Sequence, residues 1–234
     1  PFNNVKLRQA VAASLNRQEI IDTVLLGRGK LTTGLPPATI PYVLSEAETA
    51  ALPFYKQDYD LVKKLLREAG HPNGFEFTFK TSPHSPDYVP AAQVIQRQLA
   101  KAGITMKIEQ VEWGALLKTF REKGNFQAIA FARIWYADPE GYVFDTTHSK
   151  GSINAGGYAS AEVDRLLNEQ RATVDINKRV ALWQDLQRIY AQEVPIIWPY
   201  AMRTRYNVWR PTLKGFEPMA NASRVYLRQT WLEK

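Results

Sequence analysis

The residues best suited to chemistry gather between Phe126 and Tyr158. An apolar run, Ala128 to Ile134, reads as a buried strand. It delivers Arg133, Trp135 and Tyr136, then the carboxylate of Asp138 at an Asp-Pro step. An acid beside two flat rings can pair with a ligand ammonium while the rings cover the ligand's apolar part. An equally simple account is a turn opened by Asp138-Pro139, with the aromatics packed beneath it. About twenty glycine- and polar-rich residues follow, Asn154 among them, before the next expected helix. Irregular chain fed by a buried strand is a common setting for binding groups. With His84 and Tyr88, near the end of an earlier strand, the candidate ligand contacts are Trp135, Tyr136, Asp138, Arg133, His84, Tyr88 and Asn154.

Other chemistries find no support in the spacing. The segment GRGKLTTG, Gly27 to Gly34, lacks both the upstream glycine of a phosphate loop, where Val24 stands, and its hydroxyl, where Leu31 follows Lys30. It reads as a helix stop and a turn. His71, His84 and His148 are far apart in sequence, show no metal-ligand spacing and fall in expected loops, so ordinary exposed histidines are anticipated. There is no nucleophile elbow and no cysteine, which removes thiolate ligands, cysteine nucleophiles and disulfides together. No catalytic residue, metal site or cofactor is expected.

The elements that would position the candidates alternate between helix and strand. Asn4 to Leu26 reads as two helices, the second opened by an Asn16–Glu19 capping box and stopped at Gly27. Gly27 to Pro53 carries seven glycines and prolines and reads as a long loop. A helix over Asp60–Ala69 precedes a strand in which Phe75, Phe77 and Phe79 alternate with polar residues. Tyr88 to Ala102 is helical, and Ile104, Met106 and Ile108 alternate as a second strand, so the three form a βαβ unit with parallel pairing. A helix from Trp113 to Lys123 then feeds the strand at Ala128. The loop of interest therefore lies beyond a strand's carboxyl end, where open α/β sheets bind ligands. Downstream, Ser160 and Asp175 are expected to cap helices over 161–171 and to Glu193. VPIIWPY, Val194 to Tyr200, reads as a short buried strand.

Composition agrees with a globular α/β chain. It has 234 residues, 45% hydrophobic and 12% aromatic, with no apolar window of membrane-spanning length. It begins without methionine, as expected of a processed chain or a piece of a longer one. The charge of +7 and pI near 9.5 come from scattered lysines and arginines. Arg203, Arg205 and Arg210, among Tyr200, Tyr206 and Trp209, form the nearest approach to a nucleic-acid patch and define the alternative reading.

Several separated segments resemble one family. PFNNVKLRQAVAASLNRQEIIDTVLLGRG, YDLVKKLLREAGHPNGFEF, IQRQLAKAGITMKIEQVEW, NAGGYASAEVDRLLNEQ and LKGFEP line up, in order, with the peptide/nickel-type (family 5) solute-binding proteins of ABC importers. The resemblance implies one lobe of a type II periplasmic-binding-protein-like clamshell, a mixed sheet flanked by helices. It places the ligand-binding lobe at 1–200. Residues 201–234 would be a segment returning to an absent N-terminal lobe. It implies a non-catalytic, extracytoplasmic protein, periplasmic or lipid-anchored at the cell surface. Such a protein passes a peptide or similar small polar solute to a membrane permease, without nucleic acid. In dipeptide-binding members a Trp-x-x-Asp segment meets the ligand's α-ammonium, and Trp135 to Asp138 has that spacing. Those members also carry an arginine in the loop after the first strand. Here that loop, Thr81 to Pro86, has none, so nickel or opine-like ligands stay open beside peptides.

Overall fold

The structure, a computed structural model, describes all residues but 38, 123, 132–137, 203–209, 217–227 and 234, and describes Met202 by its backbone alone. The first two helices are α1, Val5–Ala13, and α2, Arg17–Leu25. Asn4 and Asn16 cap them, each side chain accepting a backbone N–H of the first turn. The expected box at Asn16 is only half formed, because the carboxylate of Glu19 turns away to accept from Gln98 Nε2 at 2.9 Å. Helix α2 ends through left-handed Leu26 and Gly27.

The loop from Gly27 to Pro53 is not structureless. It holds a two-residue strand, β1 (Gly29–Lys30), and a short helix, α3 (Glu46–Ala50), started by a capping box between Ser45 and Glu48. Buried Gln187 fastens this loop from below. Its carbonyl accepts from Thr33 Oγ1 (2.7 Å) and from the Leu44 N–H (3.2 Å), and its amide donates to Tyr42 O (2.8 Å).

The sheet is the expected βαβ unit extended by one strand. Helix α4, Tyr59–Glu68, leads to β2, Glu76–Thr81; α5, Tyr88–Ala100, leads to β3, Thr105–Gln110; α6, Trp113–Arg121, leads to β4, Ala128–Ile129. The order is β3-β2-β4 and every pair is parallel, with Thr81 opposite Gln110 and Lys80 opposite Ile129. Phe77 and Met106, paired in register, are buried with Leu7, Leu65, Leu66 and Leu99 from α1, α4 and α5. The sheet expected to be mixed is thus parallel among the described residues, and antiparallel pairing is confined to two short ladders outside it. The strand expected over Ala128–Ile134 pairs at two residues, half-buried rather than buried, and its later part lies outside the described residues.

A second core follows. Helices α7 (Glu140–Thr147), α8 (Ala161–Ala172) and α9 (Ile176–Glu193) bury Tyr142, Val143, Val163, Leu166, Leu167, Trp183, Leu186 and Tyr190 around Leu35. Helix α7 stands where sequence reading expected loop. The Asp138-Pro139 step starts a helix there, and Tyr142 and Val143 supply the apolar face that holds it. Asp175 caps α9 by accepting from the N–H groups of Asn177 and Lys178. Ser160 stands at the α8 N-cap without a cap bond and donates instead to Glu193 Oε1. Val194–Tyr200 is half-buried and irregular apart from buried Val194, not the expected strand, because Pro195 and Pro199 cannot donate to a ladder. The chain then forms β5 (Ala201–Met202), antiparallel to β1, and a ladder of β6 (Leu213–Lys214) with β7 (Trp231–Leu232).

Two arginines join the halves. Arg8 of α1 donates to the carbonyls of Glu193 (2.9 Å), Val194 (2.9 Å) and Phe2 (2.8 Å), closing the carboxyl end of α9. Arg17 is 4% exposed and meets no carboxylate among the described residues. It donates to the carbonyls of Trp198 (3.1 Å), Ala12 (3.3 Å), Phe54 (2.9 Å) and Tyr55 (3.3 Å) and lies 4.3 Å over the Tyr55 ring.

Candidate functional site

Parallel strands in register release their following residues along one edge. The joins after β2, β3 and β4 therefore meet there, and each brings an aromatic ring. His84 comes from the first, Trp113 from the second and Phe131 from the third. His84 stacks on Trp113 with centroids 4.3 Å apart and planes within 10°. Trp113 faces Phe131 at 6.1 Å and 16°, and Phe131 faces Phe120 of α6 at 4.1 Å and 6°. Tyr88, at the start of α5, leans against Trp113 at 6.5 Å and 53°. His84 is exposed; Tyr88, Trp113, Phe120 and Phe131 are half-buried.

The rim is shaped from beneath. Asp87 accepts from Tyr200 Oη at 2.7 Å and from Ser85 Oγ, tying the 82–87 turn to the chain before β5. Burial, and then the contact with Asp87, raise the Tyr200 pKa. Glu112 caps α6, accepting the Ala115 N–H at 3.1 Å. The N–H groups of Gly114 and Ala115 hold its carboxyl below the usual range, with a smaller contribution from His84. Glu112 is thus an ionised acid close to the imidazole.

The expected contacts divide. His84 and Tyr88 stand together at the rim. Arg133, Trp135 and Tyr136 lie outside the described residues. Asp138 is described, and its carboxylate is already engaged. Arg179 of α9 grips it with both terminal nitrogens (2.7 and 2.9 Å), and the Glu140 N–H donates to it at 2.9 Å. Partial burial pushes the Asp138 pKa up, but the Arg179 fork and the Glu140 N–H outweigh that and leave it below the ordinary value. Arg179 also donates to Tyr42 Oη (3.1 Å) and Gln170 Oε1 (3.1 Å), and Gln170 donates to Glu140. Asp138 therefore anchors the start of α7 on α8 and α9.

Asn154 is a loop clasp rather than an exposed contact. It is buried, its amide donates to the carbonyls of His148 and Tyr158, and its oxygen accepts from the Tyr158 N–H. Both donors and the acceptor are used internally. His148 also departs from expectation: it is buried, stacked 4.3 Å from Phe144, and accepts the Lys150 N–H. Sequence reading placed Trp113 at the start of a helix and Phe131 inside a strand. The missed signal was an aromatic just beyond the end of each strand.

No group of histidines and carboxylates able to hold a metal occurs among the described residues, and no described helix is long and apolar enough to cross a membrane. Two small recesses lie near Arg17, Thr33, Tyr190 and Trp198 and near Leu35, Tyr142 and Trp198. Each holds about one water molecule at most. Neither is at the strand ends, where the aromatic rim is open.

An open rim of rings at the carboxyl ends of a parallel sheet is a surface suited to binding. Comparison with known families decides which kind. The family of bacterial extracellular solute-binding proteins, family 5 (middle part), matches residues 1–154.

The chain belongs to that family.

Among related family members, di/tripeptide-binding protein 1 of Pseudomonas aeruginosa UCBPP-PA14 is 31% identical over 92% of this chain and 40% of its own length. Heme-binding protein A of Haemophilus influenzae is 30% identical over 92% of this chain and 40% of its own length. The periplasmic binding protein DppA of Helicobacter pylori, solved with the peptide STSA, superposes with a TM-score of 0.76 at 27% identity. It covers 100% of this chain and 45% of that one. The chain thus spans less than half the length of these relatives. Its α/β architecture is that of one part of a periplasmic binding protein.

Proposed function

We propose that this chain is the ligand-binding lobe of the substrate-binding component of an ABC importer, non-catalytic and extracytoplasmic. It captures a peptide or a similar small polar solute by closing on a second, N-terminal lobe. The observation that carries the reading is the open rim. Three loops at the carboxyl ends of adjacent parallel strands bring His84, Trp113 and Phe131 into one surface. A surface of that kind forms one wall of a cleft, and closure supplies the other wall and excludes water.

Residues 1–200 form the lobe in this reading, and residues 201–234 return toward the other lobe. Trp231 and Leu232, 56% and 69% exposed, fit that role, since exposed apolar residues on a short ladder suit a contact surface. The relatives are named for di- and tripeptides and for heme, so the element they share is capture of a solute; release to a membrane permease is part of the proposal. Trp135, Tyr136 and Arg133 follow β4 and are retained as proposed contacts beside His84 and Tyr88. The nucleic-acid alternative has no support in the family, and its basic cluster lies outside the described residues except for Tyr200 and Arg210.

Native mass spectrometry of the full-length protein with an equimolar pool of di- and tripeptides tests the reading. The expected result is a one-to-one complex enriched in a subset of the pool. Retention of no peptide, with a steeply salt-dependent affinity for DNA or RNA, would instead favour the nucleic-acid reading.

A further inference from the structure

We propose that the His84–Trp113 stack is a specificity-determining platform on which a planar ring of the bound solute lies. This inference refines the solute-binding reading and rests on it. Its basis is the column His84–Trp113–Phe131–Phe120, whose successive planes are within 10°, 16° and 6° of parallel. Offset-parallel stacking is one of the arrangements aromatic pairs prefer, and here it recurs from ring to ring. A run of near-parallel rings has a direction, and its last member is an exposed imidazole at the strand ends.

That last ring is held in place before any ligand arrives. Pro83 and Pro86 flank it in sequence, Ser82 Oγ accepts the His84 N–H at 3.3 Å, and Asp87 receives the hydroxyls of Ser85 and Tyr200. A preorganised ring loses little entropy when a ligand stacks on it, so the stacking energy goes into affinity. The inner face of His84 is covered by Trp113, which leaves the outer face for the solute. Tyr88, tilted against Trp113, supplies an edge beside the platform. The ionised carboxylate of Glu112 nearby disfavours an anionic ring, so the platform suits a neutral or cationic one. An aliphatic group gains only its area on such a surface, whereas a flat ring gains the quadrupolar term as well.

The test uses the full-length protein and two probes, the dipeptides Ala-phenylalanine and Ala-cyclohexylalanine, which differ in the planarity of one ring. Calorimetry is expected to show about a two- to tenfold preference of the wild-type protein for the planar probe. His84→Ala should abolish the preference and His84→Phe should keep it, with unfolding temperatures confirming that both variants fold. Equal affinities in the wild type, or a preference that survives His84→Ala, overturn the platform and leave the peptide reading standing. Binding of neither probe by the wild-type protein overturns the peptide reading and the platform with it.

Discussion

Arg8, Arg17 and Asp138 look alike in sequence, as charged residues near turns, yet all three are tied into the framework. Arg17 donates to four backbone carbonyls from three places in the chain, and burial lowers its pKa, partly offset by Tyr55. A shorter or apolar side chain leaves those carbonyls without a donor in the interior. Arg17→Met is therefore expected to cost about 3 kcal/mol in urea unfolding, as buried groups left unsatisfied each carry a penalty. An effect below about 0.5 kcal/mol, typical of a surface position, would show that the carbonyls find other donors. Asp138 makes a pH-dependent contribution. Its folded pKa is lowered, so its stabilisation is present above the unfolded value and is lost as pH falls through the folded one. The wild type should lose more stability on acidification below about pH 4 than Asp138→Asn does, and the difference should shrink in Arg179→Gln, where only the Glu140 N–H remains. Parallel acid limbs in the two proteins would argue against the clamp.

Helices with a clear apolar stripe and a capping residue were legible because their signals are local. Asn16, Asp175 and the glycine stops mark real boundaries, and the βαβ unit follows from alternation and spacing. Helix α7 was hidden because Glu140–Thr147 is short and β-branched at its end, and its stability comes from contacts with α8 and α9 that sequence periodicity does not reveal. The reading of Val194–Tyr200 as a strand failed from the opposite cause, since apolar content was weighed above the missing proline donors. His84 and Tyr88 could be picked from the sequence; the column they join could not, because register alone brings Trp113 and Phe131 to them. Glycine positions at this scale separate by environment. Gly70 and Gly74 both have positive φ, but a Cβ on Gly70 meets nothing, whereas one on Gly74 would lie 1.8 Å from the Gly103 carbonyl oxygen beside β3. Gly70→Ala should cost about 1 to 2 kcal/mol from backbone conformation alone. Gly74→Ala should cost clearly more, and equal losses in thermal unfolding would mean that the β2–β3 entry yields freely.

Over the whole molecule, two cores, one around the sheet and one among α7 to α9, are joined by Arg8 and Arg17. That base presents an aromatic rim on one edge and an exposed Trp231–Leu232 pair on a short ladder. The chain spans about 40% of its di/tripeptide-binding relative. Fold and family were legible across the chain because the matching segments run through its length. The ligand was not, since the residues that would choose it sit on loops whose geometry depends on the sheet. In the central account this surface binds by closure, supplying about half of the contacts and little affinity alone. Calorimetric titration of a di- and tripeptide pool into the full-length protein, and separately into residues 1–234, tests this most directly. The account predicts saturable binding at micromolar concentrations or below for the full-length protein and no measurable heat for the shorter chain. Equally tight binding by residues 1–234 alone would contradict it.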